Sequence, residues 1–118
     1  MITKENAPKI KAPLVLEAAN APTNMDADEV LDQRGILVVP DILANAGGVT
    51  ASYFEWVQNK QHYSWGLNRV RQELDYVMTE AFERVWETGK KEQVSLRTAA
   101  YILGISRVYR AAQLAGIA

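Results

Sequence analysis

Two short apolar runs, each followed by a proline, constrain the fold of this chain more than any other feature. Residues 36–39 read Ile-Leu-Val-Val and are stopped by Pro40; residues 14–16 read Leu-Val-Leu, and Pro22 closes the segment after them. Continuous apolar runs of this kind are typical of strands buried on both faces of a parallel sheet. Proline ends them because it has no N–H to donate to the ladder. The sequence therefore predicts two buried strands.

The segment between these strands predicts a short helix over residues 23–34. Thr23, with Asp26 three residues later, has the form of a capping box in which Asp replaces the usual Glu. Gly35 follows where a left-handed residue commonly ends a helix. The order strand, helix, strand predicts a βαβ unit, whose crossover is expected to be right-handed.

The remainder of the chain is predicted to be helical. A turn at residues 45–48, where Gly47 and Gly48 allow close approach or positive φ, precedes the first of three helices. Small residues at Ala100 and Gly104 would permit a close helix crossing. The first predicted helix spans residues 49–60. The second spans residues 67–90, with Ser64 as its candidate N-terminal cap, and the last starts after Ser95.

These elements define an α/β fold class and one domain over residues 1–118. The prediction is a βαβ fragment of a Rossmann-like domain, with two parallel strands, followed by three predominantly long helices. Two short strands make a poor sheet by themselves. We therefore expect the chain to correspond to the end of a larger α/β domain, whose other strands would be the neighbours of these two.

Composition excludes several classes of protein. The chain has no cysteine, so a disulfide framework, a thiolate metal site and a cysteine nucleophile are excluded. With 13 basic and 14 acidic residues the net charge is −1, and we expect neither nucleic acid nor a membrane as partner. His62 is the only histidine, so we expect no metal site. The polar start lacks the apolar core of a signal peptide, and we expect a cytoplasmic protein.

Polar residues follow both predicted strands. Asn20 comes after the first strand and Asn45 after the second. Ligands of open α/β sheets bind at the carboxyl ends of the strands, so both amides are predicted to face one cleft. Ser52 lies near the start of the predicted helix 49–60, where serine is favoured as a helix-start hydroxyl, and no obvious base accompanies it. A G-x-G-x-x-G phosphate loop is absent from the sequence.

Four segments resemble the C-terminal part of the nucleotide-binding domain of hexameric-type NAD(P)-dependent glutamate dehydrogenases. The most specific is Leu-Ala-Asn-Ala-Gly-Gly-Val-Thr-Ala-Ser-Tyr-Phe-Glu-Trp at residues 43–56. The others are Glu-Ala-Ala-Asn-Ala-Pro-Thr at 17–23, Arg-Gly-Ile-Leu-Val-Val-Pro-Asp at 34–41 and Leu-Arg-Thr-Ala-Ala-Tyr at 96–101. The resemblance extends from about residue 2 to residue 116.

This resemblance implies a chemistry and a set of site residues. The family oxidatively deaminates glutamate to 2-oxoglutarate and ammonia and passes a hydride to NAD or NADP. The resemblance implies that Asn20 touches the nicotinamide end of the cofactor and the substrate, and that Asn45 lies beside the nicotinamide pocket. It also implies that the Ser52 hydroxyl binds the distal carboxylate of the substrate. The Ser-Tyr-Phe-Glu-Trp stretch favours glutamate over leucine or phenylalanine as the amino acid.

The chain also departs from the family. The N-terminal substrate domain, with its catalytic lysine, and the glycine-rich phosphate loop have no counterpart in these residues, so we expect no dehydrogenase activity from the chain alone. Two hypotheses follow. The chain is a piece of a dehydrogenase that works with a separate N-terminal chain, or it is a non-catalytic interaction protein that self-associates. Self-association would give a homo-oligomer, such as a dimer joined through an exposed strand edge or through the terminal helices.

Overall fold

A computed structural model describes residues 1–117 of the chain. A 3₁₀ turn at Ala7–Lys9 precedes two strands and five α-helices. In chain order these are β1 (Leu14–Leu16), α1 (Met25–Gln33), β2 (Leu37–Val39), α2 (Asp41–Ala44), α3 (Ala46–Gln61), α4 (Leu67–Glu92) and α5 (Leu96–Leu114). This order agrees with the predicted βαβ fragment followed by three long helices, and α2 is an additional short helix.

The two strands pair in parallel, as the sequence predicts. Leu14 lies opposite Leu37, and Leu16 lies opposite Val39. Since the sheet of the described residues has only these two strands, each strand keeps one open edge. The side chains of β1 are not buried as predicted, because Leu14 is 47% exposed and Leu16 is 61% exposed. Leu14 and Leu16 are two residues apart and project from the same face of the sheet, which the part of the chain that the structure describes leaves largely uncovered.

The ends of α1 confirm one prediction and correct another. Gly35 has φ +69°, so it is the left-handed residue that ends this helix. The N-terminal cap is Asn24 rather than Thr23, because Asn24 Oδ1 accepts the N–H of Ala27 at 2.9 Å. Asparagine caps a helix as well as threonine does, and a shift of one residue lies within the usual variation of helix ends.

The predicted turn at residues 45–48 is wrong, since α3 begins at Ala46 and includes both glycines in its first turn. Gly47 lies against α4, where an added Cβ would stand 3.8 Å from Met78 Sδ and 3.9 Å from Leu74 Cδ1. Packing on α4 overrides the low helix propensity of glycine. The cap of α4 is also different from the prediction, because it is Gly66 and not Ser64.

Two small clusters form the core. One lies under α1 and the other joins β2 to α4 and α5. Their buried members are Ala7, Ala27, Leu31 and Ile36 in the first, and Val39, Leu43, Val85, Leu96, Ala99 and Ala100 in the second. β2 connects the βαβ unit to the C-terminal helices, because Val39 belongs to the second cluster and the half-buried Val38 packs against the first.

The close crossing of α4 and α5 uses a different glycine from the predicted one. Nothing lies within 4 Å of a Cβ placed on Gly104, whereas a Cβ on Gly89 would stand 3.3 Å from Val94 O and 3.4 Å from Leu96 Cδ2. The prediction of Gly104 is therefore wrong. Gly89 makes the tight approach because it lies in the last turn of α4, where its carbonyl accepts the N–H of Val94, in the connection to α5, at 3.1 Å.

The chain is more extended than a compact domain of the same length. Its radius of gyration is 17.1 Å, whereas about 13.5 Å is expected for a compact domain of this size. Apolar side chains are exposed along α5, where Ile105 is 65% and Val108 is 71% exposed. Among the described residues, no helix is both long enough and apolar enough to cross a membrane. The described residues thus form an extended shape with apolar side chains exposed along its last helix.

Candidate functional site

Asn20 and Asn45 lie side by side beyond the carboxyl ends of the two strands. Asn45 Nδ2 donates a hydrogen bond to Asn20 Oδ1 at 3.4 Å. Asn20 is exposed and Asn45 is half-buried, so neither residue is closed off from solvent. One amide follows each strand. The two amides meet because parallel strands end at the same edge of the sheet. The structure brings these two predicted site residues together at that edge.

Ser52 lies on α3, on the side of the helix that is in line with Asn45. It is the seventh residue of this helix, so the interpretation as a helix-start hydroxyl is wrong. Seven residues are nearly two helical turns, which places Ser52 below Asn45 on one face and about 10 Å further along the axis. Ser52 is exposed and borders an open hollow of about 520 Å³ between α3 and the start of α4.

A charged cluster lies directly behind the two amides. The guanidinium of Arg97, on α5, donates to both oxygens of Glu17, at 2.7 Å to Oε1 and 3.0 Å to Oε2. It also donates from Nε to Asp28 Oδ2 at 2.7 Å, and its Nη1 lies 3.5 Å from Asp41 Oδ1. The Glu17 side chain is fully buried. Arg97 therefore joins the end of β1, helix α1 and the start of α2 to the last helix.

Asp41 extends this cluster to the loop after β1. Its backbone N–H donates to Glu17 Oε2 at 2.9 Å, and its Oδ2 accepts the N–H of Ala21 at 2.7 Å. Its Oδ1 accepts the N–H of Ile42 at 2.8 Å. Asp41 thus lies between the buried ion pair and the residue that follows Asn20.

These contacts shift the pKa values of the cluster. The hydrogen bond from the Ala21 N–H is the largest of the influences that lower the pKa of Asp41. Burial acts to raise the pKa of Glu17, but the hydrogen bonds from Arg97 and from the Asp41 N–H contribute to a net lowering. The hydrogen bonds to Asp28 and Glu17 raise the pKa of Arg97. Both carboxylates and the guanidinium are therefore charged at neutral pH.

We expect this cluster to make the fold sensitive to acid. A carboxylate whose pKa is lower in the folded chain stabilises the fold above its unfolded-state pKa, and this contribution is lost as the pH falls through the folded-state value. The pKa values of Glu17 and Asp41 lie below their ordinary values of 4.5 and 3.8. The free energy of unfolding, measured in urea between neutral pH and about pH 3, should fall below about pH 4.5. A free energy that stays level or rises there contradicts this expectation.

Sequence reasoning did not find this cluster. Glu17, Asp41 and Arg97 lie inside segments that carry the family resemblance, but Arg97 and Glu17 are 80 positions apart in the chain. One signal was available in the sequence, because Glu17 directly follows an apolar run that predicts a buried strand. In the structure Glu17 is the only buried charged residue among those described. Charged residues are rarely buried unless they are paired. Such a residue indicates an ionic partner, although it does not identify the partner.

Two parallel strands joined by a helix, with polar side chains beyond their carboxyl ends, define this chain as part of a Rossmann-like α/β domain. The comparisons with known proteins give the family. The pattern of the Glutamate/Leucine/Phenylalanine/Valine dehydrogenase family matches residues 1–116. The chain therefore belongs to the Glutamate/Leucine/Phenylalanine/Valine dehydrogenase family, which agrees with the resemblance noted in its sequence.

Glutamate dehydrogenases are among its similar relatives. The chain is 57% identical over 112 residues to a glutamate dehydrogenase of Thermotoga maritima, a match covering 95% of this chain and 27% of that protein. It is 50% identical over 115 residues to a catabolic NAD-specific glutamate dehydrogenase of Bacillus subtilis, covering 98% of this chain and 27% of that one. The chain thus spans just over a quarter of the length of the curated relatives it matches.

Solved structures are similar in fold over the same region. The crystal structure of glutamate dehydrogenase from Peptoniphilus asaccharolyticus superposes with a TM-score of 0.92 at 43% identity, over 98% of this chain and 29% of that one. A hetero-hexameric glutamate dehydrogenase from Thermus thermophilus, crystallised with leucine bound, gives 0.92 at 32% identity, over 98% and 28%. The βαβ unit and the three helices thus occur together within larger dehydrogenases.

Proposed function

We propose that this chain is the C-terminal portion of the nucleotide-binding domain of a hexameric-type glutamate dehydrogenase. In this proposal it forms one wall of the cleft in which NAD or NADP meets glutamate, and it is inactive without the rest of the enzyme. The observation that carries the proposal is the contact between the Asn20 and Asn45 amides at the strand ends, in a chain that matches the family over nearly its whole length. We also propose a cytoplasmic location.

The residues present fit one end of a nicotinamide dinucleotide. A carboxamide both donates and accepts hydrogen bonds, so the carboxamides of Asn20 and Asn45 are complementary to the one on the nicotinamide ring. When bound, the cofactor accepts the hydride from the amino acid. The pyrophosphate would need a glycine-rich loop at a helix N-terminus, and the sequence contains no G-x-G-x-x-G. This chain therefore offers contacts to the nicotinamide end only.

Ser52 would contribute the contact to the substrate. Its exposed hydroxyl is a hydrogen-bond donor suited to a carboxylate, and it lies on the Asn45 side of α3. Held by a rigid helix, a single hydroxyl orients a substrate without taking part in bond breaking. The catalytic lysine that the family resemblance implies would come from the N-terminal substrate domain, on another segment or on a separate chain.

A chimera tests the assignment. The matched 112-residue segment of the Thermotoga maritima enzyme is replaced by the corresponding residues of this chain, and NAD(P)H formation is followed with glutamate, leucine, phenylalanine or valine. We expect glutamate to be preferred, and we expect Ser52→Ala to raise KM for glutamate by at least about tenfold, since one hydrogen bond to a charged group is lost. Ser106→Ala, which changes an exposed serine on α5, is the matched control.

The outcomes separate the parts of the proposal. A folded chimera that is inactive, or that prefers leucine, phenylalanine or valine, overturns the glutamate assignment. If Ser52→Ala behaves like Ser106→Ala, Ser52 is not a substrate ligand. Glutamate-dependent NAD(P)H production by the pure 118-residue chain contradicts the proposed inactivity of the chain alone.

The alternative is a non-catalytic protein that self-associates. The open edge of β1 and the exposed apolar side chains of α5 support it, because both expose surface that another copy would cover. The native mass of the chain purified untagged from its source discriminates between the two. A small multiple of 13.2 kDa supports the homo-oligomer. A complex with a second, dehydrogenase-like polypeptide supports the divided enzyme.

A further inference from the structure

Asp41 is hydrogen-bonded to both segments that carry the paired amides. Its side-chain Oδ2 accepts the N–H of Ala21, the residue after Asn20, at 2.7 Å. Its backbone carbonyl accepts the N–H of Asn45 at 2.9 Å. One residue therefore contacts the loop that follows β1 through its side chain and the end of α2 through its backbone.

The Ala21 backbone needs such a contact. Ala21 has φ +45°, in the left-handed region that residues with a Cβ seldom adopt. It also precedes Pro22, and a residue before proline favours extended backbone. Conformations of this kind persist only where the surrounding structure holds them. The 2.7 Å hydrogen bond from the Ala21 N–H to Asp41 Oδ2 is a contact of this kind.

Asp41 is itself held by the buried ion pair. Its N–H donates to Glu17 Oε2, and Glu17 is bound at both oxygens by Arg97. Arg97 Nη1 also lies 3.5 Å from Asp41 Oδ1, which favours the charged form of this carboxylate. The position of the Asp41 side chain is thus set by groups from β1 and α5.

We propose that Asp41 is a positioning residue that sets the distance between the Asn20 and Asn45 amides by holding Ala21 in the left-handed conformation. In this proposal Asp41 acts through the two amide-bearing segments and not through the ligand. The placement of the amides stands on the geometry alone, whereas its consequence for cofactor and substrate rests on the proposed function.

Nuclear magnetic resonance on the 118-residue chain tests the placement. In Asp41→Ala we expect the Ala21 amide to exchange with solvent about tenfold faster, because a hydrogen bond to a charged group is lost. The nuclear Overhauser contact between the side-chain amide protons of Asn45 and the Asn20 side chain should weaken or vanish. The Leu31 and Val85 amides, which lie in the two core clusters, should exchange as before. Asp75→Ala, an exposed aspartate on α4, is the matched control.

A second substitution separates positioning from a merely structural role. Glycine adopts positive φ without a steric cost, so Ala21→Gly in the Asp41→Ala background should restore the contact between Asn20 and Asn45. A role of Asp41 limited to starting α2 would not respond to a change at Ala21. If Asp41→Ala does not fold, Asp41→Leu, which is close to aspartate in size and has no acceptor oxygen, allows the same comparison. An unchanged contact in a folded Asp41 variant, or no rescue by Ala21→Gly, overturns the proposal.

The same variants in the chimera connect the placement to function. We expect Asp41→Ala to lower kcat/KM by about tenfold or more, since misplaced ligand groups lose their orientation, and Ala21→Gly to recover most of it. If the unsubstituted chimera is inactive, the proposed function fails while the magnetic resonance result still decides the placement. If the chimera is active and Asp41→Ala leaves kcat/KM unchanged, the positioning role in the enzyme is wrong.

Discussion

Replacing Arg97 by methionine is expected to lower the free energy of unfolding by about 3 kcal/mol, because breaking a buried ion pair leaves its partner uncompensated. The partner is Glu17, whose side chain is fully buried, whereas that of Arg97 is 20% exposed. Methionine fills much of the volume of the arginine stem, so the loss reports the charge and its hydrogen bonds. Urea unfolding at neutral pH measures it.

Arg84→Met is the matched control for this experiment. Arg84 pairs with Glu80 one helical turn away at 3.0 Å, and both side chains are 40% exposed or more. Exposed pairs at this spacing contribute at most about 0.5 kcal/mol. A loss in Arg97→Met no larger than that in Arg84→Met would show that the cluster does not stabilise the fold.

The pH dependence of the free energy of unfolding tests independently whether the loss in Arg97→Met comes from the buried charge of Glu17. Burial raises the pKa of Glu17, and the hydrogen bonds from Arg97 lower it. Without Arg97 the pKa of Glu17 should therefore be higher than in the unsubstituted chain. A buried carboxyl with a raised pKa is least unfavourable when it is protonated. The difference in free energy of unfolding between Arg97→Met and the unsubstituted chain should therefore narrow as the pH falls. A difference that is constant with pH would assign the loss to packing instead.

Replacing Gly89 by valine is the second substitution with a large expected effect. A Cβ at this position already stands 3.3 Å from Val94 O and 3.4 Å from Leu96 Cδ2, and the two γ-carbons of valine would extend further into the contact. Overpacking of this kind costs about 1–3 kcal/mol. We expect the free energy of unfolding to fall by that amount and α4 to separate from α5 at the turn.

Gly104→Val is the matched control, because it makes the same change in a helix at a position with nothing within 4 Å. Valine has a slightly better helix propensity than glycine, so the free energy of unfolding should stay level or rise by a few tenths of a kcal/mol. Thermal and urea unfolding of the two variants measure the difference. If both variants have the same stability, the close approach at Gly89 does not limit the packing of α4 on α5.

The secondary structure was largely predictable from local patterns. The apolar run at residues 36–39 and the stripe of residues 67–90 correspond to β2 and α4, and Gly35 has the positive φ that was predicted for it. The misplaced start of α3 has a tertiary cause, because Gly47 lies in the contact with α4. Propensity describes the isolated segment, and packing against another helix outweighs it.

The candidate site, too, was predictable only in part. The expectation that Asn20 and Asn45 face one cleft followed from the rule that parallel strands end at one edge, and the structure brings the two amides within 3.4 Å. Their roles, and that of Ser52, remain predictions. The residues behind them were not predictable, since the contacts of Arg97 with Glu17 and Asp28 join residues 80 and 69 positions apart.

The sequence by itself determined the order of the two strands and of every helix except α2, the α/β class and the family. These follow from periodicity, turn residues and matching segments, all of which are local in the chain. Only the tertiary structure decided which charges meet, which glycine makes the helix crossing and which residue joins the two amide-bearing segments. Those features depend on distances between segments that are remote in sequence, and such distances exist only once the core has brought the segments together.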